Sequence, residues 1–293
     1  MSRYIPVILF GLAMLGAGCG EPTAPSPTRR GIISYAPSIT ETVFALGQGA
    51  RVVAVTNYCD YPPEVESIPK VGGYMDPDAE KITMLAPELM IIQGRHQKVV
   101  DIAAKNQIRL LNVNMDSLAG IDAGIATIGE ALGCVPQADE LRRKVAQELD
   151  AVRQAVAGLP PPRVLIINTR TNHDLNNLFS VGRQSFVSEV VEAAGGENVF
   201  ADSPEEYFEA SKESVVMKRP EVILEFHAGE NLSEAEQARF VADWNQLPSL
   251  PAVRDRRVHL FLKSYGLRPG PRIPLVARTI AGWLHPDVEL PAP

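Results

Sequence analysis

The run PQADELRRKVAQELDAVRQAVAGL, Pro136 to Leu159, decides the fold. Its apolar residues Leu141, Val145, Leu149, Val152, Val156 and Leu159 recur in steps of four and three, one stripe down an α-helix. The other faces carry Asp139, Glu140, Arg142, Arg143, Lys144, Glu148, Asp150 and Arg153. Glu140 and Lys144 make an i,i+4 pair in the favourable order, and acids are expected in the first turn, where the helix dipole stabilises them. Gly158 suits a left-handed termination, and Pro160, Pro161 and Pro162 forbid continuation. The spacing predicts a helix of about 20 residues, about 30 Å long. One α/β pattern ends before it and another begins after it, so the helix reads as a rod joining two halves.

The chain has 293 residues, is 45% hydrophobic and carries a net charge of -7. That length supports a sizeable core in about two domains, and the acidic balance argues against a nucleic-acid partner. Residues 1–19 read as an export signal: Arg3, an apolar run from Ile5 to Leu15, then Gly16, Ala17, Gly18 and Cys19. The run is shorter than the ~20 residues a bilayer span requires. A cysteine after small residues resembles a bacterial lipoprotein signal, although Leu15 stands four places before Cys19 rather than three. Lipidation of Cys19 is expected, with residues 20–30, rich in Pro, Thr and Ser, as a flexible tether. Cys59 and Cys134 are expected to stay unpaired, at opposite edges of a parallel sheet and beyond the ~7 Å Cα limit for a disulfide.

The N-terminal half, residues 31–135, shows strand patterns at 31–34, 51–56, 89–93 and 109–114 and helical ones at 39–46, from 78, at 99–106 and at 118–132. Ser38 and Glu41 have capping-box spacing. Strands alternating with helices predict a mostly parallel sheet covered on both faces. The C-terminal half, 160–293, repeats the scheme, with strands at 163–168, 221–226 and 258–262 and helices at 186–194, 234–244 and 273–284. Trp244 and Trp283 fall among apolar neighbours and are assigned to the core.

The halves echo each other. Asp78-x-Glu80-x-Ile82 and Pro87-Glu88-Leu89-Met90-Ile91 match Ser211-x-Glu213-x-Val215 and Pro220-Glu221-Val222-Ile223-Leu224 at a constant offset. This predicts two similar α/β lobes facing each other. Ligands of open α/β sheets bind beyond the carboxyl ends of strands, so the strand-end loops should line a cleft. Those loops and their neighbours carry Ser38, Tyr58, Tyr74, Phe179, Tyr207 and Tyr265, aromatic-rich in a chain only 6% aromatic. Such walls suit a large, flat, partly polar ligand; the alternative is that each ring fills its own half.

Catalytic motifs are absent: there is no H-E-x-x-H, no G-x-x-x-x-G-K, no G-x-S-x-G and no C-x-x-C. Of five scattered histidines, His96 and His227 follow corresponding strands and could approach a metal centre axially; the alternative is that both are solvated loop residues. Arg95, Arg170, Arg183 and Arg268 could meet ligand carboxylates. Glu80 and Glu213 sit in first helical turns, one per half, where dipole stabilisation and docking on a basic partner both fit.

Tyr35-Ala36-Pro37-Ser38-Ile39-Thr40-Glu41, Tyr58-Cys59-Asp60-Tyr61-Pro62-Pro63-Glu64, the stretch 78–92, Gly195-Gly196-Glu197-Asn198-Val199-Phe200 and Arg268-Pro269-Gly270-Pro271-Arg272 together resemble the substrate-binding proteins of bacterial ABC importers for cobalamin and ferric siderophores or haem. The likeness spans roughly residues 31–285 and is nearest to the cobalamin-binding members. It implies two Rossmann-like lobes on one backbone helix, a cleft lined by Tyr58, Tyr74, Phe179, Tyr207 and Tyr265, and Glu80 and Glu213 as the acids that dock on permease arginines. Tyr74, Tyr207 and Tyr265 stand where the cobalamin binders carry tryptophan, and Gln93 stands near another such site, which implies a smaller, more polar cleft. Cobinamide, haem or a siderophore is then open beside cobalamin. The implied protein is a monomeric, lipid-tethered, exported binding protein without a resident cofactor, its metal chelate being cargo. The rival from another class is a secreted hydrolase using His96 or His227.

Overall fold

Apolar strands separated by amphipathic helices pair in parallel, because each crossover must pass over a sheet face. The computed structural model, which describes residues 31–171 and 173–290, obeys this through its first half. In order come β1 (Ile32–Ser34), α1 (Pro37–Ala45), β2 (Val52–Val55), α2 (Ala79–Leu85), β3 (Leu89–Gln93), α3 (Gln97–Lys105), β4 (Arg109–Val113) and α4 (Leu118–Leu132). The sheet runs β2-β1-β3-β4 and is parallel throughout. The export signal, Cys19 and the tether lie outside the described residues.

The rod is α5 (Val135–Ala155), 21 residues long, with Pro136 in its first turn, where a missing N–H costs little. Its first turn holds no acid, so the expected dipole contribution is absent; Asp139 and Glu140 enter one turn later. Glu140 pairs with Arg143 at 2.5 Å and Lys144 with Glu148 at 3.8 Å, not with each other. The stripe is buried at Val145, Leu149, Val152 and Val156, joined by Ala138, whereas Leu159 is exposed. Gly158 has φ +80° in the turn that follows. α5 crosses α4 closely: a methyl on Gly129 would stand 2.3 Å from the Ala138 Cβ.

The second half contains β5 (Arg163–Arg170), β6 (Leu178–Val181), α6 (Phe186–Ala193), β7 (Glu197–Asn198), β8 (Tyr207–Ala210), α7 (Lys212–Lys218), β9 (Val222–Phe226), α8 (Glu234–Asp243), α9 (Pro251–Arg254), β10 (Val258–Phe261) and α10 (Ile273–Leu284). Its separate sheet runs β10-β9-β5-β6-β8, with β7 also on β5. β10, β9 and β5 are parallel, but β6 is antiparallel to both β5 and β8. Phe179 and Tyr207 therefore lie on strands rather than loops.

Among the described residues the core falls into three apolar clusters. One belongs to the N-terminal sheet, with Ile33, Met90 and Ile92, and one to the C-terminal sheet, with Leu165, Ile223 and Trp244. The largest is shared, joining Ile39, Ile91 and Ile125 to Val164, Leu224 and Ile280 around the α5 stripe. α5 packs on α4 from one side and on α10 and α6 from the other. Trp244 is fully buried and Trp283 packs against the shared core. Cys59 and Cys134 are buried free thiols; the Thr40 hydroxyl donates to the Cys59 Sγ at 3.2 Å.

Candidate ligand-binding cleft

A cleft of about 380 Å³ opens between the halves. On one side Pro37, Ser38, Tyr74, Gln93, His96 and Asp116 line it; on the other stand Glu206, Tyr207, Leu267 and Arg268. The N-terminal residues come from the α1 start, the ends of β3 and β4 and the segment before α2, which is the carboxyl-edge placement the strand order requires.

Ser38 does not cap a helix. Pro37 opens α1 and Ala36 takes the cap position, so the Ser38 Oγ is free to donate to the Gln93 Oε1 at 2.7 Å. Gln93 in turn donates to Asp116 at 3.3 Å. The His96 ring is buried against the Tyr74 ring, 3.9 Å between centroids, and edge-on to Tyr35. Its Nε2 lies 2.7 Å from the Gln93 carbonyl, whereas its Nδ1 is buried without a partner. A carbonyl only accepts, so Nε2 carries a proton, and in the neutral ring Nδ1 is left as the acceptor. Burial, reinforced by the Asp116 charge, raises the Glu206 carboxyl above its ordinary value, and burial likewise raises the Tyr207 phenol.

The opposite end of the cleft is clamped. Arg268 donates to both carboxylate oxygens of Asp60, one at 2.8 Å, to Glu41 at 3.3 Å and to the Tyr58 carbonyl at 3.3 Å. Arg272 holds Glu41 at 2.8 and 2.5 Å while stacking on Tyr61 at 3.9 Å. Two arginines of one half thus grip two acids of the other, Glu41 being buried. The bond from Arg268 holds the Asp60 carboxyl below the usual range. Sequence reading offered Arg268 to a ligand carboxylate; the structure gives its guanidinium to the protein.

Other expected site residues stand apart from this cleft. Tyr58 is exposed beside the clamp, and Phe179 is exposed on β6. Tyr265 packs edge-on against Phe261, under Arg272. His227 is not a loop group facing ligand: it is buried, with Nε2 2.8 Å from Glu225 and Nδ1 3.2 Å from Glu230. Burial would lower its pKa, but the two carboxylates override this and raise it. Both nitrogens are committed, so His227 has none for a metal. Arg170, equally buried, bonds Glu225 at 2.7 Å and Asp243 at 3.0 Å, so it is not a ligand group either. Arg95 and Arg183 are exposed and outside the cleft lining. Sequence reading missed Asp116 and Glu206, although Asp116 follows a strand end by the same rule that selected the others.

A family model described as periplasmic binding protein matches residues 32–264. The chain belongs to the periplasmic binding protein family. This binding protein is 28% identical over 258 residues to the vitamin B12-binding protein of Photorhabdus laumondii, covering 87% of each chain. Among solved structures it is similar to the periplasmic vitamin B12 binding protein of Vibrio cholerae, with TM-score 0.73, 26% identity and coverage of 87% of this chain and 96% of that one. It is also similar to a periplasmic heme-binding protein from Roseiflexus sp. RS-1, with TM-score 0.73, 28% identity and coverage of 88% and 98%.

The repeat in this binding protein extends to atomic detail. Asp78 and Ser211 cap α2 and α7 through the equivalent backbone N–H groups of Lys81 and Ser214. Ile82 and Val215 are the buried residue of each helix, and Ala86 and Arg219 close them in the left-handed region at φ 42° and 49°. Each helix then presents an exposed pair one turn apart, Glu80 with Met84 and Glu213 with Met217.

Proposed function

We propose that this protein captures a metal chelate, a corrinoid such as cobalamin or cobinamide, between its halves and delivers it unaltered to an ABC permease. The observation that carries the reading is the cleft between two separate sheets, walled by Tyr74 on one side and Tyr207 on the other. Relatives that bind vitamin B12 align along most of the chain. The ligand would bridge both halves in the closed arrangement, and a permease that favours the open one would release it. Tyr58, Phe179 and Tyr265 would complete the aromatic surround as the ligand extends beyond the cleft.

Glu80 and Glu213, on matching exposed first turns, would dock on basic residues of the two permease subunits, with Met84 and Met217 as adjoining apolar contacts. Lipidation at Cys19 would hold a monomer at the periplasmic or outer cell surface. The hydrolase alternative gains no nucleophile–base pair: Ser38 donates to Gln93 rather than to a histidine, both His227 nitrogens face carboxylates, and His96 contacts the Gln93 carbonyl through Nε2 and no hydroxyl or thiol through Nδ1. Titrating the purified protein with cyanocobalamin, dicyanocobinamide and hemin, followed by visible absorption and calorimetry, tests the reading. Saturable binding of a corrinoid without chemical change is expected; a flat response to all three removes it.

A further inference from the structure

Aromatic walls accept any flat chelate, so discrimination must come from the polar groups at the rim. Two of the polar groups lining this cleft are acids without an ion-pair partner. Asp116 stands on the N-terminal side and Glu206 on the C-terminal side, and among the described residues neither has a cation within ion-pair distance. Asp116 receives one long hydrogen bond, from Gln93 at 3.3 Å. The two acids sense each other across the gap, since the Asp116 charge adds to burial in raising Glu206.

His96 supplies an independent sign. It lines the same cleft, is only 5% exposed, and keeps the Nδ1 lone pair without a donor. A buried acceptor left unsatisfied costs free energy, and a ligand N–H or O–H that reached it through side-chain rearrangement would recover that cost. The single cation among the lining residues, Arg268, is committed to Asp60, Glu41 and the Tyr58 carbonyl. Gln93 donates to Asp116 and the Tyr207 hydroxyl bonds Glu206, and the carboxyl oxygens left over call for further hydrogen-bond donors.

Resting on the proposed binding of a flat metal chelate, we propose that Asp116, Glu206 and His96 Nδ1 form an acceptor wall that selects a chelate rimmed by primary amides over one rimmed by carboxylates. The peripheral carboxamides of a corrinoid offer N–H donors and no negative charge. The propionates of haem would set carboxylate against carboxylate inside a partly desolvated cleft, which repels. Ionised, both acids accept from amide N–H groups, and a propionate, itself only an acceptor, finds no donor in them.

Three probes separate charge from shape: dicyanocobinamide, hemin, and hemin with both propionates converted to primary amides. The unaltered protein is expected to bind dicyanocobinamide and the hemin diamide each at least about tenfold more tightly than hemin. The Asp116→Asn, Glu206→Gln double variant is expected to shrink the diamide-to-hemin ratio by about tenfold, mainly by improving hemin. A matching thermal transition shows that the variant is folded. Should it not fold, the diamide-to-hemin ratio of the unaltered protein decides alone, and a ratio within about twofold overturns the inference. A double variant with an unchanged ratio overturns it as well, while corrinoid binding itself leaves the proposed function standing. If no probe binds the unaltered protein, the proposed function falls and the acceptor wall falls with it.

Discussion

Two strands at matching places in the repeat end in different chemistry. β3 and β9 align at the constant offset that relates Glu80 to Glu213, so Ile92 in one half corresponds to Glu225 in the other. Both side chains are fully buried. Around Ile92 the core is apolar, with Ile33, Met90 and Val99, and the histidine beyond the strand, His96, turns to the cleft with one nitrogen unpaired. Around Glu225 a charged cluster assembles: Arg170 at 2.7 Å, the Trp244 indole at 2.9 Å and His227 at 2.8 Å. The interior carboxylate of Glu225 engages the histidine two residues on and makes it structural, because a buried charge must be surrounded by donors; at the same offset the N-terminal half has Gly94, and its histidine stands two places later. Similar topology therefore does not give similar site chemistry; the residue beneath the loop decides.

The comparison can be attacked most severely where the halves agree. Replacing Glu80 and Glu213 together with Arg should abolish chelate uptake by cells while leaving affinity in solution unchanged, and either replacement alone should have a smaller effect. Full uptake by the double variant would mean that the matched acids are only dipole caps. Next comes Glu225→Ile, which writes the N-terminal residue into the C-terminal half. It removes one of the two carboxylates that hold the buried Arg170 and the acceptor of the Trp244 indole, leaving Asp243 as the remaining counter-charge, and should cost about 3–5 kcal/mol in denaturant unfolding. A loss below about 1 kcal/mol would show that the cluster is not held by Glu225.

The mildest test contrasts the two histidines. His227 has its pKa raised by Glu225 and Glu230, so its stabilising contribution is fully present below 6.5 and fades as pH rises through the elevated value. Unfolding free energy should then fall by roughly 1 kcal/mol for each unit of that elevation, and His227→Gln should flatten this part of the profile. His96→Gln should lower ligand affinity instead. Unchanged affinity in that variant would erase the distinction between the two histidines.

Much of this was legible in the chain. The α5 stripe, the β/α order and the helix α4 follow from periodicity, and the α2 and α7 repeat follows from residue identity at fixed offset. The antiparallel insertion was hidden because β6 is four residues long, its connection from β5 is longer than a two-residue hairpin turn, and its other partner β8 lies beyond α6. The site was less legible for the same non-local reason. Ser38 and Glu41 have capping-box spacing, but Pro37 moves the helix start and Arg272, distant in sequence, claims the glutamate. His227 looked equivalent to His96 until Glu225 was seen to be interior rather than a strand-end acid.

The seam around α5 has a mechanical corollary. Val145, Leu149 and Val152 are clothed by side chains from before and after the rod, so neither sheet owns a complete inner face. Severed at the rod, each fragment would present a broad greasy surface to water, and intact molecules should melt in a single calorimetric peak. A body welded along its spine should breathe at the lips rather than swing apart, so loading and emptying should leave its radius of gyration nearly unchanged in small-angle scattering.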